Sequence, residues 1–367
     1  MAGIYIHIPF CGQLCYYCDF HFTTSLLGRE EMVVAIIKEI DERREYLASL
    51  DIETLYIGGG TPTVLTISEL KRIVDSVALT CDISSLKEFT IEANPEDLNP
   101  EYLDGLKSLG ANRLSIGVQS FVDEHLKFMN RRHNASRAVE CVGQAQKAGF
   151  SNITIDLIYG IPDMTISQWR SNIETAINLG VQHFSAYHLT IEPKTVLGIR
   201  QKRGLFFSVD EDVSVEEYET LEAVASEAGF EHYEISNFAK KGFRAIHNSN
   251  YWQGKVYVGF GPSAHSFDGR CRRWNISNNT KYVSEGGFEE EHLTDTDIYN
   301  ETVMTRLRTS EGVLVESLKA PYREYFLEES KRYIAAGLLS QNDGRVFIET
   351  RNFLVSDAII ESLFYIT

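Results

Sequence analysis

The sequence predicts an α/β protein: six strand–helix units forming a partial (β/α)6 barrel, then a small α+β module of winged-helix shape. Three observations carry this. Apolar β-rich runs alternate with amphipathic helical runs over the first half, glycines close several of the helical runs, and the pattern changes after about residue 190. The strands are predicted at Ile4–Ile8, Thr54–Gly58, Glu88–Ala93, Arg113–Gly117, Ile153–Ile158 and His183–Leu189. Helices are predicted between them at Arg29–Leu47, Ser68–Leu79, Pro100–Leu109, Ser136–Ala148 and Ile166–Leu179, with Gly110, Gly149 and Gly180 as C-terminal caps. Such alternation implies a parallel sheet with right-handed crossovers, whose ligands bind at the C-terminal strand ends.

Beyond the barrel, Glu192–Asp212 reads as a polar connection, Val215–Ala228 as a helix, and Glu231–Ile235 and Lys255–Gly261 as strands. Helices at Asn300–Arg308 and Arg323–Ala336 precede a hairpin that turns at Asn342–Gly344. Three parts are therefore expected: a barrel over 1–200, an extension over 201–295 and the C-terminal module over 296–367.

A chain of 367 residues that is 43% hydrophobic can bury a large core. Its net charge of −17, from 35 basic and 52 acidic residues, opposes nonspecific nucleic-acid binding. The C-terminal module carries no basic stripe, so a packing or lid role is favoured there over DNA binding. The first residues do not form a secretory signal, and no apolar run is long enough to span a bilayer. A reducing cytoplasm is the expected location, as clustered free thiols require.

Those thiols are Cys11, Cys15 and Cys18, spaced Cys-x3-Cys-x2-Cys on a loop that leaves the first strand. Pro9 and Gly12 flank the first of them and argue against a helix. Three cysteine sulfurs can hold three irons of a 4Fe-4S cluster and leave the fourth open. An open iron can chelate the amino and carboxylate groups of S-adenosylmethionine, and a reduced cluster can pass an electron to the sulfonium. A zinc site would need a fourth ligand, for which His7 or His21 is available. Cys81, Cys141 and Cys271 lack motif spacing and read as structural.

Other polar residues fall at strand ends. The second strand runs into Gly58-Gly59-Gly60-Thr61-Pro62, where backbone can approach a ligand closely. Glu92 ends the third strand, Gln119 follows the fourth and Asp156 lies in the fifth. A carboxylate in an apolar parallel strand is costly to bury alone, so Glu92 and Asp156 need partners. A ligand amine or ribose would serve, as would Arg113 or Arg131 in a structural pair.

With these motifs the chain resembles radical S-adenosylmethionine proteins of the family that holds oxygen-independent coproporphyrinogen III oxidase and the heme chaperones, over nearly its whole length. The resemblance implies cofactor contacts at Tyr5, Tyr17, Gly59, Gly60, Thr61, Glu92, Gln119, Arg131 and Asp156. The adjacent Arg132 competes with Arg131 for that role. Oxidase-type members carry a fourth cysteine two positions after the third, where this chain has Phe20.

A second block, His247-Asn248-Ser-Asn-Tyr251-Trp252, resembles the heme-chaperone signature. Chemically, His247 is a candidate axial ligand for heme iron and Tyr251 and Trp252 offer flat apolar surface. From the residues alone a hydrogen-bonded turn over a core is the competing reading; the resemblance favours heme, with Asn248 in the set. His265 reads as structural. The glycine usual after the final Thr of the hairpin is replaced, in Thr350-Arg351-Asn352, which puts that turn in question. The resemblance implies a heme carrier with heme-accepting apoproteins as partners and a cluster and S-adenosylmethionine retained; a homodimer is a candidate assembly that the sequence leaves open. The rival expectation is an oxidase that decarboxylates a porphyrinogen.

Overall fold

The inner and outer faces of the main sheet differ in chemistry, and that difference positions everything else. In the computed structural model, which describes residues 1–366, six strands run in parallel in chain order: β1 (Ala2–Ile8), β2 (Ile52–Gly59), β3 (Glu88–Ala93), β4 (Arg113–Gln119), β5 (Ile153–Tyr159) and β6 (His183–His188). Alternate residues such as Ile4, Ile6, Leu55, Ile57, Phe89, Ile91, Leu114, Ile116, Ile155 and Phe184 are almost fully buried under the crossover helices. The intervening positions carry Tyr5, His7, Thr54, Tyr56, Glu88, Glu92, Arg113, Asp156, Ser185 and Tyr187. A parallel sheet covered on both faces would read as a continuous apolar run. Here the inner face is polar because it lines a lumen. Tyr187 shows this: it keeps 43% of its surface accessible, yet enclosure by protein pushes its phenol pKa up.

The crossover helices start and stop as their sequences dictate. Thr66 with Glu69 and Thr165 with Gln168 form reciprocal capping boxes at Ile67–Ala78 and Ile166–Asn178. Asn99 and Asn134 cap Pro100–Ser108 and Ala135–Lys147. Gly110, Gly149 and Gly180 take positive φ just past their helices, as predicted.

The second half extends the sheet at both edges instead of adding a layer. Strands β7 (Glu231–Glu234) and β8 (Asn237–Ala239) form a hairpin whose β8 pairs antiparallel with β6. On the other edge β9 (Val256–Phe260) pairs in parallel with β1, followed by β10 (His265–Phe267), β11 (Cys271–Asn275) and β12 (Phe288–His292). The resulting twelve-stranded sheet runs in the order β12-β11-β10-β9-β1-β2-β3-β4-β5-β6-β8-β7. A C-terminal α+β module holds helices Asp295–Arg306, Ala320–Ala335 and Ser356–Ser362 with the antiparallel strands β13 (Val313–Leu314), β14 (Leu339–Asn342) and β15 (Arg345–Ile348). Its hairpin turns at Asp343 and Gly344, both at positive φ, as predicted. Past Thr350 the chain forms a short 3-10 turn over Thr350–Val355.

Three sequence expectations need correction. The polar connection Glu192–Asp212 contains a helix, Val196–Lys202, because Thr195 caps Gly198 N and Leu197 is buried. The first helix breaks at Arg43, whose guanidinium turns to the Gly259 carbonyl at 2.9 Å. Residues 246–252 form a short helix rather than a turn.

A candidate cofactor site at the barrel mouth

Pairing of two loops builds the mouth at the C-terminal ends of β1 and β2. Thr23 N donates to Pro9 O at 2.9 Å and Cys11 N to Thr23 O at 3.0 Å, closing the cysteine loop on itself. Gly60 N donates to Ile8 O and Thr61 N to Phe10 O, so the glycine loop is laid along the approach to Cys11. Each glycine answers a separate crowding. A Cβ on Gly58 would stand 2.6 Å from the Tyr56 ring and 2.8 Å from the Glu92 carboxyl; on Gly60 it would stand 2.6 Å from Phe10 O. Gly59 takes φ +104, with His7 where its side chain would go.

The three thiols share this loop, with Cys18 N bonded to Cys15 O. Thr61 Oγ1 donates to Cys11 Sγ at 3.5 Å and Arg131 Nη1 to Cys15 Sγ at 3.3 Å. Burial pushes the Cys11 thiol up to about 12 and Cys18 up to about 11, so binding of metal by these sulfurs must displace their protons. The donors fit an iron–sulfur cluster better than zinc. His7 is spent on Tyr5 OH (3.0 Å) and on the His21 carbonyl (2.9 Å), and His21 on Asn279 (2.7 Å). Among the described residues no three His, Cys, Asp or Glu side chains gather about one point as a single ion needs. A cluster, whose ligands hold separate irons, makes no such demand.

Arg131 and Arg132 separate cleanly. Arg131 enters the site, where Nη2 donates to Asn94 Oδ1 and to Gly117 O, both at 2.6 Å. Arg132 packs outside against Gly12 and lies 3.7 Å from Glu96. Gln119 sits at φ +69 where β4 slips register against β5, and its amide folds back beside Gly117 next to Arg131. Glu92 accepts from Tyr56 OH at 2.5 Å and from Gly59 N at 3.1 Å. Burial raises its carboxyl to about 7 and that of Asp156 to about 6. Tyr5, next to Glu92, and Tyr17, next to Arg131 and the thiols, complete the wall. All twelve predicted cluster and cofactor residues thus converge on one mouth. The structural pairing considered for the carboxylates is absent from both: Arg113 instead lies low in the barrel against Glu88.

Sequence reading missed Asn94, which links Arg131 to Thr61 Oγ1 at 3.1 Å, and Tyr56. Period two was the available signal, since Asn94 follows Glu92 and Tyr56 precedes Gly58 by two residues on the inner face. A clamp on Tyr16 was also missed. Its amide donates to Met129 O, its carbonyl accepts from Leu197 N, and Arg200 lies 4.2 Å over its ring.

The second block lies at the opposite end, on the barrel floor. His247 Nδ1 pairs with Thr54 Oγ1 at 2.8 Å, its ring lies 5.1 Å from Tyr56, and burial lowers its pKa to about 4, so the imidazole is neutral. Glu88 accepts from Ile246 N (2.7 Å) and His247 N (3.0 Å), holding the start of the helix Ile246–Trp252. The candidate ligand and the flat aromatics do not share one face in this fold. His247 points inward, Tyr251 is 48% exposed and packs on Tyr257, and Trp252 lines a void of about 20 Å³ against Arg306 and Thr309 of the C-terminal module. Asn248 is partly exposed between them. The void at His247 is about 10 Å³, too small for any porphyrin.

Comparison with known proteins agrees with this geometry. Residues 5–176 match the model of the Radical SAM superfamily, and residues 293–355 that of the HemN C-terminal domain. The heme chaperone HemW of Lactococcus lactis is 34% identical over 365 residues, covering 97% of this chain and 96% of that protein. That of Bacillus subtilis is 33% identical over 371 residues, covering 98% of each. The solved coproporphyrinogen III oxidase HemN from Escherichia coli shares the fold, with a TM-score of 0.84 and 21% identity over 99% of this chain and 90% of that one. Near-full-length identity of 33–34% to such relatives, with a radical SAM match over the barrel, places the chain in the HemW family of the radical SAM superfamily.

Proposed function

We propose that this protein is a heme chaperone: it binds heme and hands it to heme-dependent apoproteins, while its mouth holds a 4Fe-4S cluster and S-adenosylmethionine. The observation that carries the reading is the end-to-end relatedness to proteins named heme chaperone HemW. Phe20 agrees with it: where the oxidase type has a cysteine, this chain places a phenyl ring 74% exposed at the rim. His247 is the proposed iron ligand, since burial keeps it neutral and only a neutral imidazole coordinates. Asn248, Tyr251 and Trp252 are proposed as further heme residues, which come to one face only when the helix Ile246–Trp252 shifts from its closed position.

At the mouth, Cys11, Cys15 and Cys18 are the proposed cluster ligands. When bound, the cluster supplies one-electron reduction of the sulfonium. The chain's own residues bind and orient. Glu92, held by the Gly59 amide, suits the ammonium end, Arg131 and Gln119 the carboxylate end, Asp156 the ribose hydroxyls, and Tyr5, Tyr17, Gly59, Gly60 and Thr61 shape the walls. A cytoplasmic location and a homodimer belong to this proposal too. Among the described residues no helix is long and apolar enough to cross a membrane.

Transfer is the defining test. Heme-loaded protein is mixed with an apo-hemoprotein and the exchange is followed by absorbance; heme should leave the chaperone and appear in the acceptor. Retention of heme, or catalytic decarboxylation of coproporphyrinogen III by the anaerobically reconstituted protein, contradicts the proposal.

A further inference from the structure

One strand touches both ends of the barrel. Thr54, Tyr56 and Gly58 are successive inner-face residues of β2, about 7 Å apart in a column from floor to mouth. At the bottom, Thr54 Oγ1 pairs with His247 Nδ1 at 2.8 Å. In the middle, the Tyr56 ring lies 5.1 Å from the His247 ring at an interplanar angle of 31°. At the top, Tyr56 OH donates to Glu92 Oε1 at 2.5 Å, and the other oxygen of Glu92 accepts from Gly59 N at 3.1 Å. Gly58 makes this possible, because a Cβ there would overlap both Tyr56 and Glu92. Tyr56 is therefore shared: its hydroxyl belongs to the mouth and its ring to the floor.

The floor is closed. Glu88 holds the first amides of the helix Ile246–Trp252, Thr54 holds the imidazole, and about 10 Å³ of space remains. An iron porphyrin cannot reach His247 unless that ring leaves Thr54 and Tyr56, so ligation by His247 requires a released arrangement beside the latched one seen here. An ammonium on Glu92 holds that carboxyl ionised, so the Tyr56 hydroxyl donates to a charged acceptor, a stronger bond than to the neutral acid, and this fixes the ring against which His247 rests.

We propose that Tyr56 is a positioning residue that couples the two ends: an ammonium bound at the Glu92 carboxylate favours the latched His247 and so weakens heme binding. This rests on the heme-carrier reading with His247 as ligand. The device gives the chaperone a means of discharge, since filling the mouth pushes cargo off the floor. By linkage the effect is mutual, so heme lowers affinity for S-adenosylmethionine by the same factor.

The test is a heme titration by absorbance on anaerobically reconstituted protein, with and without saturating S-adenosylmethionine, together with S-adenosylmethionine binding by equilibrium dialysis with and without heme. The expected result is a heme Kd weakened at least about fivefold by S-adenosylmethionine, with an equal reciprocal effect. In Tyr56→Phe, which keeps the ring and loses the hydroxyl, the ratio should fall to near unity while circular dichroism and iron content stay unchanged. Thr54→Val, which releases the imidazole without touching the mouth, should tighten heme binding. Heme binding that ignores S-adenosylmethionine, or a ratio retained in Tyr56→Phe, overturns the coupling and leaves the carrier reading standing. Absence of heme binding in every state overturns both.

Discussion

The mouth and the floor of the same barrel are built on opposite plans. Both are lined by polar groups in an otherwise apolar α/β core, yet the mouth is kept open and the floor is shut. At the mouth, glycines at 58, 59, 60 and 117 stand where a single methyl group would collide with Glu92, His7, Phe10 or Gln119. A cleft of about 620 Å³ opens beside the cysteine loop, from Phe10 and His21 to Val283. At the floor, charge and hydrogen bonds are paired inward, Glu88 with helix amides and Arg113, His183 with Tyr233 at 2.8 Å, His247 with Thr54. The voids there are about 10 and 20 Å³. Space retained by glycine marks a site built for ligands that enter a rigid frame. A closed polar network marks a site that must move before it binds.

The sharpest way to break the contrast is at the thiols. Replacing Cys11, Cys15 or Cys18 by Ala should abolish iron retained after anaerobic reconstitution and its visible absorbance, while heme binding at the floor survives. Loss of both together would show that the two ends do not act as separate sites.

A smaller effect is expected from Gly60→Ala, whose methyl would meet the Phe10 and Ile8 carbonyls at 2.6 and 2.8 Å. Backbone cannot yield as a flexible side chain does, so denaturant unfolding should report a loss of about 1–3 kcal/mol. The same substitution at Gly143, with nothing within 4 Å of its Cβ, should be neutral or stabilising.

The pH dependence separates the ends further. Glu92 is raised by burial from 4.5 to about 7 in the empty barrel. A carboxyl raised on folding contributes stability fully present below its unfolded value and lost as pH rises through about 7. A rise of this size corresponds to roughly 3 kcal/mol. His247, lowered from 6.5 to about 4, acts with the opposite sign: its contribution is present above 6.5 and lost as pH falls through about 4. Melting temperature followed from pH 5 to 8 should therefore show that Glu92→Gln removes a decline toward high pH, whereas His247→Gln removes a decline toward low pH. Equal profiles for both variants would contradict the assignment of these groups.

The two ends were unequally legible in the sequence. The mouth was read well because its residues sit in short local motifs at predicted strand ends, and strand polarity alone gathers Cys11, Gly59, Glu92, Gln119 and Asp156. Asn94 and Tyr56 were missed although they share that inner face, because neither residue type stands out in a strand. The floor was read poorly because its partners are far apart in the chain. Thr54 and His247 are separated by 193 residues, and nothing local shows that residues 246–252 plug the barrel. The edge strands β10–β12 escaped for a related reason: three consecutive glutamates at 289–291 give no alternation, and they serve to blunt an exposed edge.

Heme titration of the wild-type protein beside His247→Ala tests the central claim, that a buried neutral imidazole on the floor is the heme ligand. The account requires stoichiometric binding with a Soret band in the wild type, and in His247→Ala at least a tenfold loss of affinity, about 1.4 kcal/mol, or a displaced band. Unchanged affinity and an unchanged spectrum in His247→Ala would contradict it.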